Sequence, residues 1–224
     1  MQNILITGIG KGIGAATAEK FLTEGYRVIG TYYRTKPKRQ HEHLIEFPLD
    51  LANNESIDAC GAAIEALDER IDILINNAGV LLDEDAKQVD PEMLRKTLEV
   101  NVIGTTRFTE RIIPLIREGG HIVNISSTAG SVELALGGKS HFPLHYPCYK
   151  ISKAALNMYT ATLAVRLKEN GVTVSAVHPG WVRTEMGGDD ATSSPEEAAD
   201  NVYQVATSRP KTGGFWFQNE HLPW

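Results

Sequence analysis

Short apolar runs, many of them rich in β-branched residues, alternate along this chain with longer helix-like stretches. The runs predict strands over residues 3–7, 27–31, 43–47, 71–76, 121–126, 172–177 and 214–217. The stretches between them predict helices over 12–24, 54–68, 91–116, 149–170 and 195–207. Two segments break the rhythm. Residues 131–147 carry Gly137, Gly138, Pro143 and Pro147 and read as a loop beyond the fifth strand. Residues 183–194 are polar and small and read as a mobile lid.

Strand–helix alternation of this kind builds βαβ units, whose parallel sheet is covered on both faces. Right-handed crossovers then leave a doubly wound, Rossmann-type α/β sheet of about seven strands. A single domain over residues 1–224 is expected, because the alternation continues on both sides of each irregular segment.

Composition changes this picture little. Hydrophobic residues make up 42% and charged residues 22%, which fits a globular protein and not a disordered one. With 22 basic against 28 acidic residues the formal net charge is -6, which argues against nucleic acid as a partner. No run reaches the roughly 18 apolar residues of a membrane span, and the N-terminal run lacks the basic flank of a signal peptide. Two cysteines, Cys60 and Cys148, are too few for a disulfide framework and lack metal-ligand spacing. A cytoplasmic location follows as an expectation.

The first strand runs directly into Thr7-Gly8-Ile9-Gly10-Lys11-Gly12-Ile13-Gly14 and then into a helix. Glycines at such a turn permit positive φ and let backbone approach a phosphate closely. The following helix offers unpaired N–H groups and the positive end of its dipole. A dinucleotide is therefore expected at Gly8, Gly10, Lys11, Gly12, Ile13 and Gly14. The second strand leads into Tyr32-Tyr33-Arg34-Thr35-Lys36-Pro37-Lys38-Arg39, with no carboxylate to hold two ribose hydroxyls. Arg34 can pair with a 2′-phosphate, and Lys11 adds a second positive charge. NADP(H) is the expected cofactor, with NAD(H) second, while Lys36, Lys38 and Arg39 read as a solvated loop.

Further along come Asn76-Asn77-Ala78-Gly79, Asn101, Ser126-Ser127, Tyr149-Lys150-Ile151-Ser152-Lys153 and His178-Pro179-Gly180-Trp181-Val182-Arg183-Thr184. In this order, and with the glycine turn, they resemble the short-chain dehydrogenase/reductase family over nearly the whole chain. Thr184-Glu185-Met186-Gly187-Gly188, Ser194-Pro195-Glu196-Glu197-Ala198 and the closing Gly213-Gly214-Phe215-Trp216-Phe217 narrow the resemblance to its C-factor/Sniffer-type carbonyl reductase branch. The resemblance implies hydride exchange between NADP(H) and a small carbonyl compound or alcohol. It makes Tyr149 the acid/base, Lys153 the group that lowers its pKa and binds the ribose hydroxyls, Ser127 the substrate-orienting hydroxyl, and Asn101 the anchor of a proton-relaying water. It also places Asp50, with Leu51, at adenine, Asn77, Ala78 and Gly79 along the cofactor, and Pro179, Gly180, Val182 and Thr184 at the carboxamide. A homodimer or homotetramer is implied, with the helices over 91–116 and 149–170 as packing faces.

The chemistry explains these residue types. A free tyrosine titrates near pH 10, so a cation one helical turn away is needed to draw it toward neutrality. Several assignments stay open in the sequence. Tyr146 and Lys150 form a second Tyr-x-x-x-Lys pair, though Pro147 interrupts that frame. Ser126 competes with Ser127, and Asp50 could instead cap the next helix or turn. His178 reads as a packed strand-end residue. His141 and His145, in an insertion over 133–145, lack a third metal ligand, so no metal is expected. Leu81, Leu82, Leu134, Phe142, Tyr146, Trp181 and Met186 suggest an apolar pocket. A methyltransferase would want an acidic ribose ligand and has no use for Tyr149 and Lys153; a non-catalytic NADP(H) sensor on the same fold is the other reading.

Overall fold

The computed structural model describes residues 1–137 and 144–224. Eight strands form one sheet: β1 (Asn3–Ile6), β2 (Arg27–Tyr32), β3 (Leu44–Pro48), β4 (Ile71–Asn76), β5 (Ile116–Ile125), β6 (Thr173–Val177), β7 (Gly214–Phe217) and β8 (Glu220–Leu222). Their spatial order is β3-β2-β1-β4-β5-β6-β7-β8. Every pairing is parallel except β7 with β8. The chain order reverses between β1 and β4, which opens a crevice at the carboxyl ends of the central strands, where doubly wound sheets bind ligands.

Both faces are covered. One core cluster joins Leu5, Leu74 and Ile122 of the sheet to Ile57, Cys60 and Ile64 of α2 (Asn54–Glu65), Phe108 and Ile112 of α4 (Thr105–Ile112) and Leu163 of α6 (Pro147–Arg166). The other packs Ile4, Ile6 and Val123 against Ala18, Phe21 and Leu22 of α1 (Gly12–Thr23) and Val202, Val205 and Ala206 of α7 (Pro195–Ser208). Burial on both sides explains why β4 is buried at all six positions, its two polar residues included: Asp72 accepts from Asn3 N–H and pairs with Arg117, and Asn76 donates to Thr109 and Asn124.

The boundaries depart from the sequence reading where tertiary contacts or turn chemistry override periodicity. The helix expected over 91–116 is divided into α3 (Pro91–Leu98), a π-helical turn (Glu99–Gly104), α4 and a 3-10 turn (Ile113–Leu115). The π turn lies where Gly104 packs so closely on the backbone of Leu51 that a methyl group there would come within 1.9 Å of its carbonyl oxygen. Pro114 then ends the helix, and β5 starts at Ile116 instead of residue 121. A short α5 (Val132–Leu136), capped by Ser131, lies inside the expected loop. β8 is an addition: Gln218 and Asn219 both adopt positive φ, and this two-residue turn folds the chain back as a hairpin. The closing aromatics turn inward, Trp216 against the second core cluster and Phe215 stacked on Trp224 at 5.4 Å. No helix among the described residues is long and apolar enough to cross a membrane.

Candidate active site

The glycine turn joins the end of β1 to α1. Gly12, the first residue of α1, has φ +57, and a methyl group on Gly14 would lie 2.1 Å from the Gly8 carbonyl oxygen. Gly10 is pressed as closely against the Thr35 carbonyl. The turn is clamped from beneath: Thr7 Oγ1 accepts from the backbone N–H groups of Asn77 and Ala78, each at 3.0 Å, and Asn77 Nδ2 donates back to the Thr7 carbonyl at 2.9 Å. Lys11 occupies the N-cap without a side-chain cap bond, and the first turn of α1 carries no acidic residue. Those orphan N–H groups, the dipole and the tight backbone fit a dinucleotide pyrophosphate.

Lys11 pairs with Glu185, and Thr184 Cγ2 would touch a methyl group on Gly12 at 3.2 Å. The polar segment over 183–194 therefore lies against the glycine turn, and Val182 bridges to Ser193 at its base. At the end of β2, Arg34 is exposed and stacks on the Tyr33 ring at 4.9 Å, with no carboxylate partner among the described residues. Lys36 and Arg39 instead pair with Glu46 and Glu19. Asp50 Oδ1 accepts from the backbone of Ala52 at 2.9 Å and closes a turn, while Asn53 caps α2. Leu51 is buried.

Tyr149 lies in the first turn of α6 and Lys153 one turn on. The Lys153 ammonium is 5.4 Å from the Tyr149 ring centroid and donates to the Ile125 carbonyl at 2.8 Å. Burial lowers Lys153 to about 8, still charged at neutrality. The Tyr149 phenol is raised above its ordinary value by burial, partly offset by its hydrogen bond with Ser127. This corrects the expectation of a lowered phenol: desolvation of the phenolate outweighs the neighbours that favour it. Ser127 also caps a 3-10 turn by accepting from Ala129 N–H at 3.1 Å. Ser126 is buried, with its hydroxyl on Asn157 Oδ1 at 2.5 Å, so geometry separates the two serines.

Tyr146 is the N-cap of α6 in a left-handed conformation, φ +44, its ring edge-on to Tyr149 at 6.0 Å. Lys150 lies over that ring at 5.0 Å, so the second Tyr–Lys pair exists in space, and burial pushes Tyr146 up to about 12. Only Tyr149 combines Ser127 with Lys153. The Asn101 side chain is fully engaged: Oδ1 accepts from Val80 N–H at 2.7 Å, and Nδ2 donates to the Val80 carbonyl at 2.8 Å and Ser152 Oγ at 3.0 Å. A methyl group on Gly79 would meet Asn101 Oδ1 at 3.1 Å.

These groups open onto a cleft of about 500 Å³. Ile13, Ser127, Tyr149, Pro179, Gly180, Val182 and Thr184 line it, as do Leu81, Tyr146, Trp181 and Met186. Leu82 and Leu134 do not, and Phe142 and His141 fall outside the described residues. His178 lines the cleft as well, its ring tilted by 45° against that of Phe217 at 5.2 Å. Among the described residues the lining also holds three carboxylates, Glu84, Asp189 and Asp190, and no lysine or arginine, so the apolar pocket read from the sequence is aromatic with an acidic rim. Among the described residues no three His, Cys, Asp or Glu side chains gather as a metal site.

Sequence reasoning missed two side chains. Asn201, buried in α7, donates to the His178 carbonyl and accepts from Gln218 N–H, both at 2.8 Å, and so fixes the floor of the cleft. Asp83, also buried, reaches the start of α6. Neither carries a local motif, since its partners lie 17 to 66 residues away.

Comparison with known proteins places this geometry among relatives. The family model described as short chain dehydrogenase matches residues 2–194. The short-chain dehydrogenase anuI of Penicillium roqueforti is 32% identical over 221 residues, covering 91% of this chain and 88% of its own. The carbonyl reductase Sniffer of D. melanogaster superposes with a TM-score of 0.89 at 26% identity, covering 100% of both chains. A short-chain dehydrogenase/reductase from Burkholderia multivorans with bound NADP gives 0.87 at 28% identity, covering 100% of this chain and 99% of its own.

Proposed function

The chain belongs to the short-chain dehydrogenase family, and from that premise we propose that it is an NADP(H)-dependent oxidoreductase interconverting a carbonyl compound and an alcohol. The observation that carries the reading is that Tyr149 and Ser127 line one cleft, with the buried Lys153 ammonium against the Tyr149 ring, next to a glycine turn shaped for a dinucleotide. Arg34, free of any carboxylate among the described residues, favours a 2′-phosphate over a bare ribose. The NADP bound by the Burkholderia relative agrees with that choice.

The reduced nicotinamide, when bound, supplies the hydride. This chain's residues do the rest. Ser127 holds the substrate oxygen beside Tyr149, and the protonated phenol gives its proton to that oxygen. The burial that raises the phenol keeps it in the donor form. The Lys153 ammonium then stabilises the phenolate left behind, in a site where water screens little, and binds the ribose hydroxyls. Val182, Thr184, Pro179 and Gly180 would hold the carboxamide, Asp50 and Leu51 the adenine, and Asn77 to Gly79 would run along the cofactor. With the Asn101 side chain engaged, a relaying water at this residue is held by its main chain.

The substrate is a small carbonyl compound that tolerates an aromatic wall and an acidic rim, so neutral and ammonium-bearing ketones fit better than carboxylates. A dimer or tetramer assembles through α6, where Ile151, Met158 and Val165 expose one apolar stripe at seven-residue spacing. Titration with NADPH and NADH, followed by cofactor oxidation against ketones bearing neutral, ammonium and carboxylate groups, tests the reading. Preferential NADPH binding with carbonyl-dependent oxidation is expected. Failure to bind either cofactor overturns it, and tight binding without turnover favours the sensor alternative.

A further inference from the structure

The helix that carries Tyr149 starts without a local cap. Its N-cap, Tyr146, makes no side-chain cap bond, and Pro147 has no N–H to offer. Lys150 N–H is satisfied by the Tyr146 carbonyl at 3.0 Å. That leaves the N–H groups of Cys148 and Tyr149, and both go to one distant side chain. Asp83 Oδ2 accepts from Cys148 N–H at 2.6 Å and Asp83 Oδ1 from Tyr149 N–H at 3.3 Å. The carboxylate is 3% exposed and has no ion-pair partner within salt-bridge distance among the described residues. Its charge is met by the positive end of α6, with Lys150 near enough to feel it.

The same loop is fastened to α6 a second time. Asn101 holds Val80 through both its N–H and its carbonyl, and it donates to Ser152 Oγ, which in turn donates to the Tyr149 carbonyl at 2.7 Å. Tyr149 is thus gripped at its N–H by Asp83 and at its carbonyl through Ser152 and Asn101. Just beyond Asp83, Ala86 N–H donates to the Asp83 carbonyl and Tyr146 N–H to the Ala86 carbonyl, both at 3.0 Å, which holds Tyr146 in its left-handed turn. A buried charge needs a strong reason to persist, because a neutral cap would satisfy one N–H without the desolvation cost.

We propose that Asp83 is a positioning residue: as the remote cap of α6 it fixes the Tyr149 phenol against Ser127 and Lys153. It links the loop that follows the cofactor-side Asn77–Gly79 segment to the proton donor, so that a single side chain sets both the start of the helix and the aim of the phenol. The inference rests on Tyr149 being the proton donor, as proposed above.

The test compares Asp83→Ala, Asp83→Asn and a distant core variant, Leu22→Ala, in the full chain with NADPH. A misaimed phenol in Asp83→Ala lowers kcat about tenfold or more, leaves NADPH affinity unchanged and raises the solvent deuterium isotope effect on kcat. Asp83→Asn, which keeps one accepting oxygen, recovers part of each. Leu22→Ala loses stability but leaves the isotope effect alone. Independently of turnover, meta-fluorotyrosine at position 149 reports the ring by fluorine NMR: the resonance shifts or broadens in Asp83→Ala, is partly restored in Asp83→Asn, and stays put in Leu22→Ala. If Asp83→Ala does not fold, Asp83→Asn decides by moving the same readouts in the same direction. An unmoved resonance, or a kcat loss with an unchanged isotope effect, overturns the proposal. A wild-type protein inert on every carbonyl overturns the functional reading instead, and the fluorine signal still decides on Asp83.

Discussion

Tyr149→Phe removes one oxygen and keeps the ring, so it isolates proton donation from packing. General acid catalysis contributes roughly 10²–10⁴-fold, equivalent to about 3–5 kcal/mol of barrier. The loss stays finite because two other groups remain. Lys153, 5.4 Å from the ring centroid, still places a positive charge near the developing oxyanion, in a buried site where water screens little. With Lys153 lowered only to about 8, that charge is present at pH 7. Ser127 keeps its hydroxyl for the substrate oxygen. The assay follows carbonyl-dependent loss of reduced nicotinamide absorbance under saturating NADPH, with cofactor affinity measured separately by fluorescence. The expected result is a fall of kcat by two to four decades, roughly, with NADPH affinity unchanged. Tyr146→Phe, as the parallel variant, is expected to alter KM for the carbonyl more than kcat. Turnover by Tyr149→Phe close to wild type, with turnover lost in Tyr146→Phe, would refute the assignment and transfer the role to the Tyr146–Lys150 pair.

Arg34→Ala is expected to weaken NADPH about ten- to a hundredfold, the equivalent of a charge-assisted bond to phosphate, and to leave NADH nearly unchanged; equal losses for both cofactors in a titration would remove Arg34 from the 2′-phosphate. His121 is fully buried between the Ala206 carbonyl and Ser175 Oγ, and burial lowers it to about 4 from its usual 6.5. The unfolded chain therefore binds this proton first, and as pH falls from about 6.5 to 4 the fold loses up to about 3 kcal/mol through this residue. Urea unfolding across that range should show a shallower loss in His121→Gln than in wild type; parallel curves would contradict it.

Much of the fold was legible because it follows from periodicity. A sheet covered on both faces needs apolar strands and amphipathic helices in alternation, and both are local properties of the chain. The glycine turn, the Tyr149–Lys153 spacing and the missing carboxylate after β2 are local as well, so the sequence alone points to a dinucleotide and a proton donor. Tertiary structure decided what depends on distant partners. The division of the helix over 91–116 answers to Leu51 packing on Gly104. Ser126 and Ser127 are neighbours of one type, and only the fold sends one to Asn157 and the other to Tyr149. The rise of the phenol comes from burial, which no spacing encodes. Asp83 looks like any loop carboxylate until α6 is brought to it, 65 residues later in the chain. A backbone N–H left orphaned when a helix is buried must find its acceptor wherever the fold supplies one, and the chain's order does not say where.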